Sequence, residues 1–263
     1  MTNPVAVITG ASRGIGKQLC IDIAAAGYDI VAVARSGKES PSPTLPGTVD
    51  ETVALAREAG GPGQRAIATS LDVRDEDGVA SLADRVYSEF GRCDALVNNA
   101  AISPGGFILS QPTALWRKTL DVNLHGSFYF TYYFAPRMTA GKGHVVNISS
   151  SWRPSPGSSR GGYTTSKEAL EALTECMAVE LAGKVSFNAI RVDIGVYSEG
   201  YASTGEREDM SDMEHPVIMS DAVLWFCRKA VNYTGHIHTL REMREMGAIR
   251  GPTPVGDVAP GDN

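Results

Sequence analysis

The chain has 263 residues, of which 43% are hydrophobic and 21% are charged, and its formal net charge is -6. This length suits one large α/β domain better than two small ones, and the composition is that of a globular protein. The negative charge, with no basic run, argues against binding to nucleic acid or to an anionic membrane, and no apolar stretch approaches the ~20 residues of a membrane span.

The start of the chain predicts a strand followed by a glycine-rich turn and a helix. Residues 5–8 are apolar, residues 9–16 read TGASRGIG, the helical pattern ends at Gly27, and residues 30–33 are apolar again. A glycine turn at a helix N-terminus lets the backbone approach a diphosphate, whose charge the helix amides favour. The strand–turn–helix context favours a nucleotide-binding loop over a purely structural turn.

The rest of the chain continues the alternation of strands and helices. Further strands are predicted at residues 66–68, 94–97, 144–148 and 185–192, and helices at 48–60, 79–91, 113–138 and 163–181. A Pro/Ser-rich loop at residues 36–47 precedes a capping box that begins at Thr48. This pattern predicts an α/β fold with a doubly wound parallel sheet that is covered by helices on both faces.

Three side chains suggest proton-transfer chemistry. Tyr163 and Lys167 are four residues apart, so a helix places the phenol and the ammonium on one face, where each alters the charge state of the other. Such a pair could act as a general acid/base, although a solvated helix face is the alternative. Ser150 follows an apolar strand, whose carboxyl end would face the ligand crevice of an open α/β sheet. Asn123, a poor helix former, either has a role there or is merely tolerated.

Several motifs together resemble the short-chain dehydrogenase/reductase family from Val5 to about Gly235. The matching motifs occur in the family's order: Thr9-Gly10-x-x-x-Gly14-x-Gly16, Asn98-Asn99-Ala100, Asn123, Ser150 and Tyr163-x-x-x-Lys167. The proline-rich insertion near residues 45–48 is also similar to that of a subgroup that includes hydroxysteroid-dehydrogenase-like proteins. The resemblance implies a mainly seven-stranded Rossmann-type sheet, a nicotinamide cofactor and hydride transfer between that cofactor and a carbonyl or secondary alcohol. The alternative is a nucleotide-binding or interaction protein that keeps the fold without turnover.

The resemblance also implies roles for individual residues. Tyr163 would be the general acid/base and Ser150 a hydrogen-bond donor to the substrate oxygen. Lys167 would lower the pKa of Tyr163 and hold the ribose, and Asn123 would order a water that links Lys167 to solvent. The cofactor-binding residues are predicted to be Gly10, Ser12, Arg13, Gly14, Ile15, Gly16, Arg35, Asp72, Val73, Asn99, Ala100, Ala101, Tyr163 and Lys167.

The end of the second strand favours NADP(H) over NAD(H). Enzymes of this fold that prefer NAD place an acid there, whereas this chain has Ala34, followed by Arg35. A second guanidinium, that of Arg13, lies in the glycine loop, and two such groups suit a 2′-phosphate. The alternative for Arg35 is a surface cation near a helix end.

Two stretches depart from the family's pattern. The family usually has a Pro-Gly pair after the sixth strand, but this chain reads Arg191-Val-Asp-Ile-Gly-Val196 there. Asp193 either faces the cationic nicotinamide or pairs with Arg191, and we favour the pair. Near the C-terminus, His236 and His238 alternate along a strand without acidic or cysteine partners, so we predict an ordinary strand pair and no metal site.

The substrate is predicted to be a small carbonyl or alcohol compound. Trp152, Arg153, Tyr197 and Tyr201 are the candidate contacts, and rings beside a cation suit an apolar, aromatic or anionic compound. The alternative is that Trp152 packs on the scaffold and Arg153 points to water.

The chain is predicted to form one Rossmann-type catalytic domain at residues 1–240, with a lid at about 194–216 and a C-terminal tail at 241–263. The helices at 113–138 and from Tyr163 onward are apolar on more than one side, and in the resembling family such helices form a subunit interface. We therefore expect a homodimer or homotetramer, unless the tail covers this surface.

The amino terminus does not resemble a signal peptide, and Cys20, Cys93, Cys176 and Cys227 are scattered, so we predict a cytoplasmic protein with reduced thiols.

Overall fold

The described residues form one parallel sheet with helices packed on both of its faces. The structure, a computed structural model, describes residues 2–138, 142–154, 159–203 and 208–257. The strands are β1 Val5–Thr9, β2 Asp29–Ala34, β3 Ala66–Ser70, β4 Ala95–Asn98, β5 Gly143–Ser150, β6 Val185–Val192 and β7 Ile237–Thr239. The α-helices are α1 Gly14–Ala25, α2 Val49–Ala59, α3 Glu76–Phe90, α4 Thr113–Leu120, α5 Gly126–Phe134, α6 Gly161–Glu180, α7 Glu199–Ala202, α8 Val217–Cys227 and α9 Leu240–Glu245.

The sheet separates two hydrophobic cores. Along β1, Ala6 and Ile8 belong to the core under α1, α2, α8 and α9, whereas Val5 and Val7 belong to the core under α3, α5 and α6. Because successive side chains of a strand point to opposite faces, an apolar strand covered on both sides reads as a continuous apolar run. The predicted doubly wound fold with a seven-stranded parallel sheet is confirmed.

The strand order positions the site. The order is β3-β2-β1-β4-β5-β6-β7, so the chain leaves β1 toward one edge and returns to pair β4 on its other side. At such a switch in direction the connections after neighbouring strands diverge and open a crevice beyond the carboxyl ends. The glycine loop follows β1 and the Asn98-Asn99-Ala100 motif follows β4, so both border this crevice.

The helix predicted at residues 113–138 is interrupted. A π-turn at Asp121–His125 separates α4 from α5, and a 3₁₀ turn at Ala135–Arg137 ends the run. Asn123 lies inside the π-turn. A single π-turn inserted in an α-helix is frequently found at functional sites, and here it directs the Asn123 side chain toward the segment after β4.

The residues after β7, predicted as a polar tail, contain helix α9 and contribute to a core. Leu240 and Met243 are fully buried and Ile249 nearly so, all within the core under α1, α2, α8 and α9. Thr239 caps α9 through a capping box with Glu242.

The C-terminal residues also fasten the predicted lid. The Glu214 backbone bonds to Gly195 and Tyr197, which joins the two ends of the lid, and its carboxylate accepts from Arg244 at 2.9 Å and from Thr253 at 2.7 Å. The lid contains the short helix α7, and its residues 204–207 lie outside the described part of the chain.

The packing of α9 generates a stability prediction. Met243→Ala should lower the free energy of unfolding by about 2–5 kcal/mol, because it leaves a cavity beside the sheet. Met246→Ala, one turn away at a side chain that is 48% exposed, should change it by less than about 0.5 kcal/mol. Urea denaturation of both variants measures the difference. Equal effects would indicate that residues beyond 240 form a dispensable tail.

Candidate active site

The glycine loop forms a close-packed cradle at the start of α1. Gly10 and Gly14 have φ angles of 69° and 53°, a region that favours glycine. A Cβ on Gly16 would lie 2.2 Å from the Gly10 carbonyl oxygen, so the turn admits no side chain there. Asn99 donates to the Thr9 carbonyl at 2.9 Å and so ties the β4 end to this loop. The arrangement leaves the first amides of α1 facing the crevice, as an anionic diphosphate requires.

A crevice of about 830 Å³ runs from this loop to the end of β5. Nearly all of the predicted cofactor and catalytic residues line it: Gly10, Ser12, Arg13, Gly14, Ile15, Gly16, Arg35, Asp72, Val73, Asn99, Ala100, Ala101, Ser150, Tyr163 and Lys167. Of the predicted substrate contacts, Trp152 and Tyr201 line it, whereas Arg153 and Tyr197 do not. Arg153 is exposed and pairs with Glu168 at 2.7 Å, which agrees with the alternative that this cation points to water.

Ser150, Tyr163 and Lys167 converge where β5 meets α6. The Lys167 Nζ donates to the Ile148 carbonyl at 2.6 Å and lies 5.7 Å from the centre of the Tyr163 ring. Burial lowers the pKa of Lys167 to about 8, and the negative charge of Glu171 opposes this. A cation in this position can hold polar atoms of a ligand and influence the nearby phenol.

The pKa of Tyr163 is shifted in the direction opposite to the expectation. Burial raises the pKa of Tyr163, and hydrogen bonding with Ser150 and the charge of Arg160 offset this rise only in part. We expected Lys167 to lower that pKa, but its ammonium is directed at the Ile148 carbonyl instead. The phenol is therefore a protonated donor at neutral pH in this structure.

Asn123 is a bracing residue in the structure. Its Oδ1 accepts from the Ile102 amide at 2.8 Å, and its Nδ2 donates to the Ile102 carbonyl and to Ser166 Oγ, both at 2.9 Å. Asn123 thus connects the segment after β4 to α6, close to Lys167. Its predicted role in ordering a water stays a prediction.

At the adenosine end, the two predicted arginines are used differently. The Arg13 guanidinium donates to the carbonyls of Pro46 and Gly47, at 2.7 and 3.1 Å, and to Ser36 Oγ at 3.3 Å, so it holds the proline-rich insertion against the glycine loop. Arg35 is exposed and lines the crevice beside Ala34. The guanidinium of Arg13 is thus occupied by these bonds, so Arg35 is the arginine better placed to bind a phosphate at this end of the crevice.

Arg160 is a crevice residue that the sequence interpretation missed. Its guanidinium is buried, donates to Ser103 at 2.8 Å, and lies 5.4 and 5.9 Å from the ring centres of Trp152 and Tyr201. Arg160 is the residue immediately before α6, three residues before Tyr163. Its closeness in sequence to Tyr163 is the signal that could have identified it.

A family model described as short chain dehydrogenase matches residues 4–194. The chain belongs to the short-chain dehydrogenase family. This membership supports NAD(P)-dependent oxidoreductase activity and small-molecule substrates in general terms.

Curated relatives agree with this family. The chain is 29% identical over 232 residues to hydroxysteroid dehydrogenase-like protein 2 of Bos taurus. The match covers 87% of this chain and 54% of the relative. The chain thus spans about half the length of that relative. A short-chain type dehydrogenase/reductase of Picea abies is 29% identical over 252 residues, covering 88% of this chain and 91% of the relative. An 11-beta-hydroxysteroid dehydrogenase A of Sesamum indicum is 30% identical, covering 80% and 59%.

Solved structures of short-chain dehydrogenases share the fold. A Mycobacterium thermoresistibile short chain dehydrogenase superposes with a TM-score of 0.82 at 25% identity, covering 97% of this chain and 94% of that one. A short chain dehydrogenase from Mycobacterium paratuberculosis, bound to NAD, gives a TM-score of 0.74 at 24% identity, covering 90% and 95%. A Beutenbergia cavernae protein containing NADP at low occupancy gives 0.74 at 25%, covering 91% and 96%. Both cofactors thus occur among these structures.

The site departs from the family pattern after β6, where the Pro-Gly pair is missing. Asp193 does not pair with Arg191 as favoured from the sequence. It pairs with Arg241 of α9 at 3.5 Å, while Arg191 binds Glu171 of α6. Neighbouring elements offer each of these two residues a partner of opposite charge that the sequence pattern could not reveal.

The serines on either side of Ser150 bond to different groups. Ser151 Oγ donates to the Val192 carbonyl at 3.2 Å, and Ser149 Oγ donates to the Glu171 carboxylate at 2.6 Å. His236 and His238 stack with ring centres 5.5 Å apart. Among the described residues, no cluster of three or more acidic, histidine or cysteine side chains could hold a metal.

The buried Lys167 generates a pH-dependent stability prediction. The pKa of Lys167 is about 8 in the folded chain, below its ordinary value of about 10.5 in the unfolded chain. Between these two pH values the unfolded chain binds more protons, so the free energy of unfolding rises with pH. At pH 7 the cation therefore destabilises the fold. Lys167→Met should raise the free energy of unfolding by about 1–3 kcal/mol at pH 7, and by less at pH 9.5.

Urea denaturation at the two pH values measures this effect. The control is Lys184→Met, at an exposed position just beyond the same helix, which should change stability by less than about 0.5 kcal/mol at either pH. A Lys167→Met protein less stable than the wild type at pH 7 would show that the carbonyl bond outweighs the burial of the charge.

Proposed function

We propose that the protein is an NADP(H)-preferring oxidoreductase that interconverts a carbonyl and a secondary alcohol, with Tyr163 as the general acid/base. The observation that carries the proposal is the convergence of Ser150, Tyr163 and Lys167 at one end of a crevice whose other end is the glycine loop. A protein that only bound nucleotide would have no need of this convergence.

The residues that line the crevice suit a nicotinamide dinucleotide. The glycine cradle and the first amides of α1 would hold the diphosphate, Asp72 and Val73 the adenine, and Asn99 the nicotinamide side, with Lys167 and Tyr163 near the ribose. The bound cofactor would supply or accept the hydride. The protein's own task is then to orient the substrate and to manage the charge on its oxygen.

Tyr163 and Ser150 would perform that task together. In carbonyl reduction, negative charge develops on the substrate oxygen, and two hydroxyl donors fixed on one oxygen stabilise it. Tyr163 then gives its proton to that oxygen, and in alcohol oxidation it accepts the proton. Because burial keeps the pKa of the phenol above neutral pH, Tyr163 can act as the general acid of carbonyl reduction at that pH. Lys167 would assist through its charge.

The role of Tyr163 leads to a mutational prediction. Tyr163→Phe removes the hydroxyl and keeps the ring, so NADPH affinity should be retained. Turnover of a carbonyl substrate should fall by about 10²–10⁴-fold, the loss typical of general acid catalysis. A panel of carbonyl compounds with NADPH, followed at the nicotinamide absorbance, identifies the substrate and gives the wild-type rate. Most of the activity remaining in Tyr163→Phe would refute the assignment.

The same panel tests the rival function. NADPH binding by the wild-type protein without turnover of any compound would favour a nucleotide-binding protein that keeps the fold without catalysis. Tyr163→Phe and the wild type would then be indistinguishable in every assay of binding.

The proposed preference for NADP(H) depends on Arg35. Ala34 ends β2 without a carboxylate, and Arg35 follows it at the crevice with an exposed guanidinium. A 2′-phosphate placed there would gain a charge-assisted hydrogen bond and meet no acidic repulsion at residue 34. Arg13 would contribute through its positive charge, since its donors already bind the insertion.

Arg35→Ala tests this preference. It should raise the Kd for NADPH by about 10-fold or more, because a charge-assisted hydrogen bond is lost, and leave the Kd for NADH nearly unchanged. Nucleotide fluorescence titration measures both constants. Arg85→Ala, which removes an arginine paired with Glu89 on α3, is the matched control and should alter neither. Equal losses for both nucleotides would refute a 2′-phosphate contact.

The substrate is proposed to be a small apolar or aromatic carbonyl compound or the corresponding alcohol. Trp152 and Tyr201 provide ring surfaces at the catalytic end of the crevice, and Arg160 provides a positive charge between them. Hydroxysteroids, named for several relatives, are apolar ring compounds of this general kind. An anionic group on the substrate would be attracted by Arg160.

Assembly into a homodimer or homotetramer is also proposed. Phe128 and Tyr132 on α5 and Val179 on α6 are exposed, with 39%, 58% and 79% of their surface accessible. A second copy would cover these apolar side chains, and the C-terminal segment packs near α8 and the lid instead. No described helix is long and apolar enough to cross a bilayer. A cytoplasmic location stays a prediction.

A further inference from the structure

A buried carboxylate lies behind the proposed catalytic residues. Glu171 is on α6, one turn beyond Lys167, and only 4% of it is exposed. Its Oε1 accepts from Ser149 Oγ at 2.6 Å and from Arg191 Nε at 2.9 Å. Its Oε2 binds the same guanidinium, so the contact with Arg191 is bidentate. Bidentate arginine–carboxylate pairs fix geometry more strictly than single contacts.

These contacts join three elements at the catalytic end of the sheet. Ser149 immediately precedes Ser150 on β5, and in the register of the parallel strands it lies opposite Arg191 of β6. Glu171 therefore fastens α6 to the ends of both strands, at the place where Ser150 must meet Tyr163. Ser149 Oγ also lies 3.4 Å from the Lys167 carbonyl oxygen, so the same cluster contacts the backbone of the lysine.

An ion pair with a buried carboxylate is a costly way to join a helix to a sheet, although the Arg191 side chain remains 31% exposed. Removing a carboxylate from water costs several kcal/mol, and well-packed apolar side chains often stabilise such a contact as well or better. A carboxylate at this position has a further consequence, because it lies on the same helix face as Lys167, whose ammonium is itself buried. Burial disfavours the charged lysine, whereas a neighbouring negative charge favours it.

Several other charged groups lie near this end of α6. Arg160 immediately precedes the helix, Arg191 is on β6, and Lys118 on α4 lines the same crevice. The remaining ionisable side chains near this end of the sheet are Tyr163 and Glu168 on α6, Tyr201 on the lid, and Asp193, which Arg241 neutralises. Glu171 is the carboxylate whose charge acts on Lys167 and raises its pKa, against the effect of burial.

We propose that Glu171 is a positioning residue of the active site: held by Arg191 and Ser149, it fixes the helix that carries Tyr163 against the strand that carries Ser150 and places a carboxylate one helical turn from Lys167. This inference rests on the proposed function only for the meaning of Lys167 in catalysis. The electrostatic effect on Lys167 itself is a property of the folded chain and is measurable without turnover.

The test is a titration of Lys167 in the full-length protein. Lysines labelled with ¹³C at Cε are followed by NMR from pH 6 to pH 11, and the Lys167 signal is assigned by its loss in Lys167→Arg. Glu171→Gln preserves the shape of the side chain but removes its charge. The midpoint of Lys167, near pH 8 in the wild type, should fall by about one pH unit in this variant.

Two further variants make the result specific. Glu175→Gln changes an exposed carboxylate one turn farther along α6 and should leave the midpoint in place. Arg191→Gln removes the cation that competes for Glu171, so the midpoint should move upward. General loosening of the fold would hydrate Lys167 and raise its midpoint, so a fall in Glu171→Gln cannot arise from it. If Glu171→Gln does not fold, Arg191→Gln still provides a test, because a fall of its midpoint contradicts the proposal.

The outcomes separate this inference from the proposed function. An unchanged midpoint in Glu171→Gln, a fall in Arg191→Gln, or an equal shift in Glu175→Gln would overturn the role of Glu171, whatever the activity of the protein. A protein that shows the opposite shifts but reduces no carbonyl compound would retain the electrostatic role and lose the catalytic one.

Discussion

The hydrogen bond of 2.6 Å from the Lys167 ammonium to the Ile148 carbonyl fastens α6 to the end of β5. A buried ammonium must find acceptors, and a carbonyl near the carboxyl end of a strand is one that the sheet ladder leaves within reach. With Lys167 fixed there, Tyr163 lies one turn earlier on the helix and Ser150 two residues farther along the strand. Their convergence follows from this one contact together with the regular geometry of a helix and a strand.

The burial of Lys167 that this contact requires lowers the stability of the fold at neutral pH. A lysine whose pKa is lowered to about 8 by burial costs folding free energy at neutral pH, and packing elsewhere must offset that cost. The two cores on either side of the sheet supply that packing. The π-turn around Asn123 is a second local irregularity at the same place, and its side chain is compensated by three hydrogen bonds. Irregular or unfavourable features are thus concentrated where ligands would bind.

Charge pairs occupy the region where a Pro-Gly turn is expected. Arg191 is bound by Glu171 from the helix side, and Asp193 is bound by Arg241 from α9. The second pair connects α9 to Asp193, which lines the crevice, and Met243 of the same helix is buried in the core under α1, α2, α8 and α9. The predicted lid is likewise joined to this segment through Glu214. The C-terminal residues are therefore connected to the site although they carry none of the family's motifs.

The sequence determined the parallel sheet, the glycine loop and the set of residues at the crevice, because each depends on local patterns: apolar runs, glycines at fixed spacing, and two side chains one helical turn apart. Most residues predicted to bind the cofactor do line the crevice. The sequence did not determine which distant charges would meet. Only the tertiary structure brings Asp193 to Arg241 and Glu171 to Arg191, because elements far apart in the chain supply these partners. It also determines that Arg160 enters the crevice, whereas Arg153 pairs with Glu168 at the surface. The raised pKa of Tyr163 belongs with them, because burial is a property of the assembled fold and not of any short stretch of sequence.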